Sequence, residues 1–132
     1  MQRSDSTPLK GYSILVLDDE DLVREVACMI IRENGGEVLA TGEGEDALDV
    51  VDANPNIACV VLDYSMPGMT GYQVFCELEK RRPGLPAVFV SGLTVVPEVA
   101  ELQGRGRVAL IAKPFGEQEL IGAIMRVLEL SK

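Results

Sequence analysis

The chain has 132 residues, room for one ordinary domain, with 12 Lys+Arg against 21 Asp+Glu, a net charge of −9 and no histidine. The missing histidine excludes Ser-His-Asp and Cys-His catalysis, His-ligated zinc and imidazole acid/base chemistry. The acidity argues against direct nucleic-acid binding, which needs a basic face, while 47% hydrophobic and 25% charged residues fit a globular domain with a real core.

The charge is uneven. Residues 1–63 hold four bases (Arg3, Lys10, Arg24, Arg32) and fourteen acids, whereas residues 64–132 hold eight bases and seven acids. Cys28, Cys59 and Cys76 form no CxxC pair and sit in apolar surroundings, which reads as small core side chains in a reducing compartment. Met1 to Lys10 is polar and lacks the apolar centre of a signal peptide, and no apolar run approaches the ~18 residues a bilayer requires. The expectation is a cytoplasmic protein without membrane insertion.

In chain order, residues 1–12 read as a flexible leader. Ser13 to Leu17 is an apolar run of strand length that ends in Asp18-Asp19-Glu20-Asp21. Leu22, Val23, Val26, Ala27, Met29, Ile30 and Ile31 then recur at helical spacing until Gly35-Gly36 stops the helix. Glu37 to Thr41 predicts a second strand, and Glu45 to Ala53 a second helix with Ala47, Leu48, Val50 and Val51 inward. Ile57 to Leu62 is apolar throughout, as expected of a strand covered on both faces, and it ends at Asp63.

A turn-rich segment, Ser65 to Gly71, leads into a helix over about Tyr72 to Arg82. Pro86 to Val90 predicts the fourth strand, ending at Ser91-Gly92. Pro97 must lie in the first turn of any helix that follows, and Gly104-Arg-Gly-Arg107 comes almost at once, so the fourth helix is expected to be short. Val108 to Ala112 is the fifth strand, ending at Lys113-Pro114, and Glu117 to Leu130 closes the chain as an amphipathic helix.

Five β/α units in succession predict a parallel sheet with helices on both faces, and such open sheets bind ligands at the carboxyl ends of their strands. Those positions hold Asp18-Asp19, Asp63, Ser91 and Lys113. Each has an ordinary reading when taken singly. Asp18 or Asp19 would cap a helix, Asp63 would start a turn, Ser91-Gly92 would be loop and Lys113 a solvated lysine. Together they place three carboxylates on one edge, where each pair at ~5 Å and an effective dielectric of about 20 repels by roughly 3 kcal/mol. One lysine cannot neutralise three acids. A hard divalent cation can, and Mg²⁺ (or Mn²⁺) suits carboxylates, a carbonyl and waters.

Ile14-Leu-Val-Leu-Asp-Asp-Glu20, Val61-Leu-Asp-Tyr-Ser-Met-Pro-Gly-Met-Thr-Gly71, Val90-Ser-Gly92 and Ala112-Lys-Pro-Phe115 resemble, in order and spacing, the four signature blocks of response-regulator receiver domains. The similarity spans residues 11–130, so 13–130 is expected to be a receiver domain. The resemblance implies a flavodoxin-like five-stranded fold of strand order 2-1-3-4-5. It implies that Asp63 is the phosphoacceptor, that Asp18 and Asp19 with Asp63 and the backbone carbonyl of Ser65 bind Mg²⁺, and that Ser91 and Lys113 engage the phosphoryl group. It also implies a cis Lys113–Pro114 bond.

The partner it implies is a histidine kinase or phosphotransfer protein, with an unspecified output partner and room for a homodimer. The chain would be a signalling switch catalysing only its own phosphorylation and dephosphorylation. One departure stands out. Many members carry an aromatic residue three positions before the lysine, and this chain has Leu110. An aspartyl-phosphate hydrolase of the haloacid-dehalogenase type would instead need a DxD nucleophile after the first strand, which Asp18-Asp19-Glu20 does not supply. Lys80-Arg-Arg82 reads as compensation of a helix C-terminus, and Phe75 and Phe89 as core.

Overall fold

Ten elements alternate along the chain in a computed structural model that describes residues 7–92, 96–103 and 107–130. They are β1 (Ser13–Leu17), α1 (Asp21–Glu33), β2 (Glu37–Thr41), α2 (Gly44–Ala53), β3 (Ile57–Asp63), α3 (Gly71–Arg81), β4 (Ala87–Ser91), α4 (Pro97–Gln103), β5 (Val108–Ala112) and α5 (Glu117–Leu130). The strands form one parallel sheet in the order β2-β1-β3-β4-β5. This is the parallel sheet that the β/α alternation predicts, in the flavodoxin-like strand order that the resemblance to receiver domains implies.

Because side chains alternate across a strand, each apolar strand serves two cores. Ile14, Val16, Cys59, Val61, Val88 and Val90 face α1 and α5. Leu15, Leu17, Val60, Leu62 and Phe89 face α2, α3 and α4. Phe75 and Phe89 pack within the second core with ring centroids 5.6 Å apart and planes tilted by 57°. Asn34, at the end of α1, donates from Nδ2 to the Ile30 carbonyl and to Glu117 Oε2, which ties α1 to the start of α5.

The helical stripe on α1 divides in the structure. Ala27, Cys28, Ile30 and Ile31 are buried, while Leu22, Val26 and Met29 are exposed, Leu22 by 76%. Apolar residues here are too many for one buried face, so periodicity marks the helix but not which of them reach the core. Cys28 and Cys59 are buried as expected, and Cys76 is half-buried on α3.

The expected leader also divides. Residues 1–6 lie outside the described residues. Thr7 to Tyr12 forms a turn closed by the Lys10 N–H to Thr7 O and Tyr12 N–H to Leu9 O bonds. Leu9 is fully buried against the α1/α5 core, and its N–H donates to Asn34 O. A single leucine inside a polar segment gives no periodicity by which to read such docking.

Lys80, Arg81 and Arg82 are engaged locally: Lys80 with Glu77 at 3.1 Å, Arg81 with Asp52, and Arg82 Nη2 with the Ile57 carbonyl at 2.7 Å. The fourth helix has seven residues, and Gly104 to Gly106 lie outside the described residues. Among the described residues no helix is long and apolar enough to cross a membrane.

Candidate functional site

Register decides which side chains meet. Leu17 pairs with Thr41 on one side and Leu62 on the other, so Asp18 and Asp63 are the next residues of adjacent strands. Ser91 pairs with Ala112, which places Lys113 one step further along. The ladder continues into the site itself. Asp18 N–H donates to Thr41 O, Tyr64 N–H to Val90 O and Lys113 N–H to Ser91 O. Every functional position at this edge therefore has a backbone bond to a neighbouring strand within one residue of it.

The loops are held as firmly. Asp18 Oδ1 accepts the Glu20 N–H at 2.8 Å, and Arg24 Nη1 donates to the Asp18 carbonyl at 2.8 Å. Glu20 occupies the N-cap position of α1 and its side chain caps nothing, so neither Asp18 nor Asp19 is a helix cap. Thr70 and Gln73 form a reciprocal capping box at the start of α3. Gly71 lies so close to β3 that a Cβ would overlap the Asp63 carbonyl oxygen, so only glycine lets α3 begin there. The Lys113–Pro114 bond is cis.

Asp18, Asp19 and Asp63 bring one carboxylate oxygen each to within 4.8 Å of one another. Asp63 is 2% exposed and Asp18 is buried, while Asp19 is open to solvent. Lys113 Nζ lies 3.3 Å from Asp18 Oδ2, 3.4 Å from Asp63 Oδ2 and 2.6 Å from Glu20 Oε1. A cleft of about 590 Å³ opens over the group, lined by Asp19, Glu20, Asp63, Ser65, Gly92 and Lys113. Ser91, the last residue of β4 and the neighbour of Gly92 in that lining, is buried.

The electrostatics follow from this crowding. Burial, then the Asp18 charge, push the Asp63 carboxyl up from its ordinary 3.8 to about 7, against the opposing pull of Lys113. Burial works against the Lys113 charge, but the hydrogen bond it donates to Glu20 and the charges of Asp18 and Asp63 outweigh it and hold the ammonium above its usual range.

Asp63 Oδ1 accepts the Ser65 N–H at 3.3 Å, yet Oδ2 is buried with no hydrogen-bond partner. The 3.4 Å to Lys113 supplies charge without a hydrogen bond. A buried carboxylate oxygen left so, beside two more carboxylates, fits a hard divalent cation: the donors are all oxygen and the negative charge exceeds what one lysine offsets.

Two residues at the site stand in the signature blocks, yet the sequence assigns them no contact. Glu20 holds Lys113 across 93 positions of chain, and Tyr64 donates from its hydroxyl to Glu98 Oε2 on α4 at 2.8 Å. Both depend on side-chain directions that no spacing rule gives. Leu110, where an aromatic is common, pairs with Phe89 and packs half-buried against the α2/α3/α4 core.

A parallel sheet of this order, with a carboxylate cluster and a lysine at its carboxyl edge, defines a class of α/β signalling domain. The profile of the response regulator receiver domain matches residues 14–125, and the chain belongs to that family. It is 32% identical over 118 residues to the response regulator protein TodT of Pseudomonas putida, covering 89% of this chain and 52% of that protein. It is 27% identical to the two-component response regulator ORR11 of rice (Oryza sativa), covering 87% of this chain and 80% of that one. The chain thus spans about half the length of TodT. A receiver-domain structure from Clostridium thermocellum shares the fold with a TM-score of 0.81 at 24% identity, covering 89% of this chain and 94% of that one.

Proposed function

We propose that this domain accepts a phosphoryl group onto Asp63 from a phosphohistidine of a partner histidine kinase or phosphotransfer protein, in the cytoplasm, and passes the signal to an output partner by a change of conformation. The observation that carries the reading is the buried Asp63 carboxylate, with one oxygen lacking a hydrogen bond and the Lys113 ammonium 3.4 Å from it. The absence of histidine in the chain fits the accepting side of the exchange.

Asp18, Asp19, Asp63 and the backbone carbonyl of Ser65 would hold Mg²⁺ or Mn²⁺, which when bound supplies positive charge for the phosphoryl oxygens. An Asp63 carboxylate oxygen attacks phosphorus while the P–N bond to the donor imidazole breaks, and the imidazole leaves with the electron pair. Lys113 offsets charge on the equatorial oxygens, and the Ser91 hydroxyl donates to one of them. The protein's contribution is mainly position and charge. Water attacking the acyl phosphate in line releases inorganic phosphate and restores the carboxylate.

Purified protein with Mg²⁺ and acetyl phosphate is expected to gain one phosphoryl group, and Asp63→Asn to gain none. A label of equal stoichiometry on the variant overturns the assignment.

A further inference from the structure

Nothing in the transfer just described calls for Glu20, yet Glu20 makes the shortest contact that Lys113 has among the described residues. Its Oε1 lies 2.6 Å from Nζ, against 3.3 Å for Asp18 and 3.4 Å for Asp63. Its side chain caps no helix, and its own N–H is fixed to Asp18 Oδ1, so the residue is anchored by its backbone and presents its carboxylate to the lysine. Asp18 and Asp63 are buried, whereas the Glu20 side chain is 60% exposed at the rim of the cleft. A phosphodonor approaching Asp63 passes this charge as well as that of Asp19, which is also open to solvent in the cleft.

The geometry points to Glu20 as a specificity-determining residue, which occupies Lys113 in the resting domain and slows phosphorylation by small, strongly anionic donors free in solution. This rests on the reading that Asp63 is the acceptor. The hydrogen bond to Glu20 takes one of the lysine's three N–H donors and offsets part of its charge before a phosphoryl oxygen arrives. The Glu20 carboxylate also lies where the donor's negative charge arrives, and like charges at such range repel through the poorly screened mouth of a cleft. A donor of lower charge is opposed less. In each case Asp63 forms the new O–P bond as the bond from phosphorus to the leaving group breaks: acetate leaves from acetyl phosphate, and ammonia from phosphoramidate, whose nitrogen already carries the proton.

The experiment compares the whole chain with Glu20→Gln, which keeps the length and removes the charge, at saturating Mg²⁺. Initial phosphorylation rates are measured with acetyl phosphate, a dianion at neutral pH, and with phosphoramidate, a zwitterion of lower net charge. Glu20→Gln is expected to react at least about threefold faster with acetyl phosphate, with a clearly smaller gain on phosphoramidate. The gap between the two proteins should narrow near 1 M salt, where the screening length is about 3 Å. Glu20→Ala, which alters length as well, should show the same order of donors. A variant that reacts no faster with acetyl phosphate, or gains equally on both donors, overturns the role of Glu20. Failure of the native chain to take label on Asp63 from either donor overturns the acceptor reading itself, and this inference with it.

Discussion

The two halves of the sheet edge are built to different standards. On the β1/β3 side every residue of β1 is buried and β3 is almost wholly so. Their exits are locked by Arg24 on the Asp18 carbonyl, by Gly71 against β3 and by the Thr70–Gln73 box. On the β4/β5 side, β5 is half-exposed and α4 has seven residues with only Val99 and Leu102 buried. Glu98 on α4 reaches back to Tyr64, the residue after Asp63. The strands that hold the acids are tightly packed, whereas α4 and β5, beyond the fully buried β4, are lightly held. Regions that move are drawn from the least stable parts of a fold, so the proposed change of conformation is expected in α4 and β5.

Truncating one core side chain on each side tests the contrast most strongly. Leu62→Ala, directly before Asp63, is expected to cost about 3–4 kcal/mol in denaturant unfolding, because the surrounding strands cannot close the cavity. Leu102→Ala on α4 should cost about 2 kcal/mol or less, since a seven-residue helix can settle into the space. Equal losses would show the two halves to be equally rigid.

The fixed half also carries a built-in destabilisation. The folded-state value of Asp63 lies above its unfolded value, so between about pH 4 and 7 the native protein binds the extra proton, and stability falls as pH rises through that window. In metal-free buffer, Asp63→Asn should therefore melt higher than the native chain at pH 8, and the advantage should disappear by pH 4 in thermal scans. A native chain as stable as the variant at pH 8 would remove the electrostatic strain ascribed to this edge.

Divalent cation should relieve the same strain. At ten times its Kd, Mg²⁺ should stabilise the native chain by about 1.4 kcal/mol, and Asp18→Asn should lose most of that gain in a melting titration. The smallest effect belongs to the lightly held half. Tyr64→Phe removes the exposed bond to Glu98 and should cost about 0.5 kcal/mol, but it should speed amide exchange in α4 while leaving β1 and β3 unchanged. Uniform acceleration across the sheet would mean that Tyr64 supports the fold rather than α4.

Much of this edge was legible in the sequence, because β/α alternation with strand-length apolar runs fixes which residues stand at carboxyl ends. Asp18, Asp63, Ser91 and Lys113 follow from that rule, and parallel register then brings them to one edge. What the rule cannot supply is direction. The apolar residues of α1 announce a helix, but the exposure of Leu22 and Met29 depends on how α1 is rolled on the sheet. The burial of Leu9, the approach of Gly71 to the Asp63 carbonyl and the grip of Glu20 on Lys113 depend on contacts between distant segments, for which residue type alone carries no period.

The central claim is that one carboxylate, Asp63, takes the phosphoryl group. An aspartyl phosphate is an acyl phosphate, which borohydride reduces to homoserine. Protein treated with Mg²⁺ and acetyl phosphate, reduced and mapped by peptide mass spectrometry, is expected to carry homoserine at position 63 alone. Homoserine at position 18 or 19, or at no position in protein that has taken up label, would contradict the account.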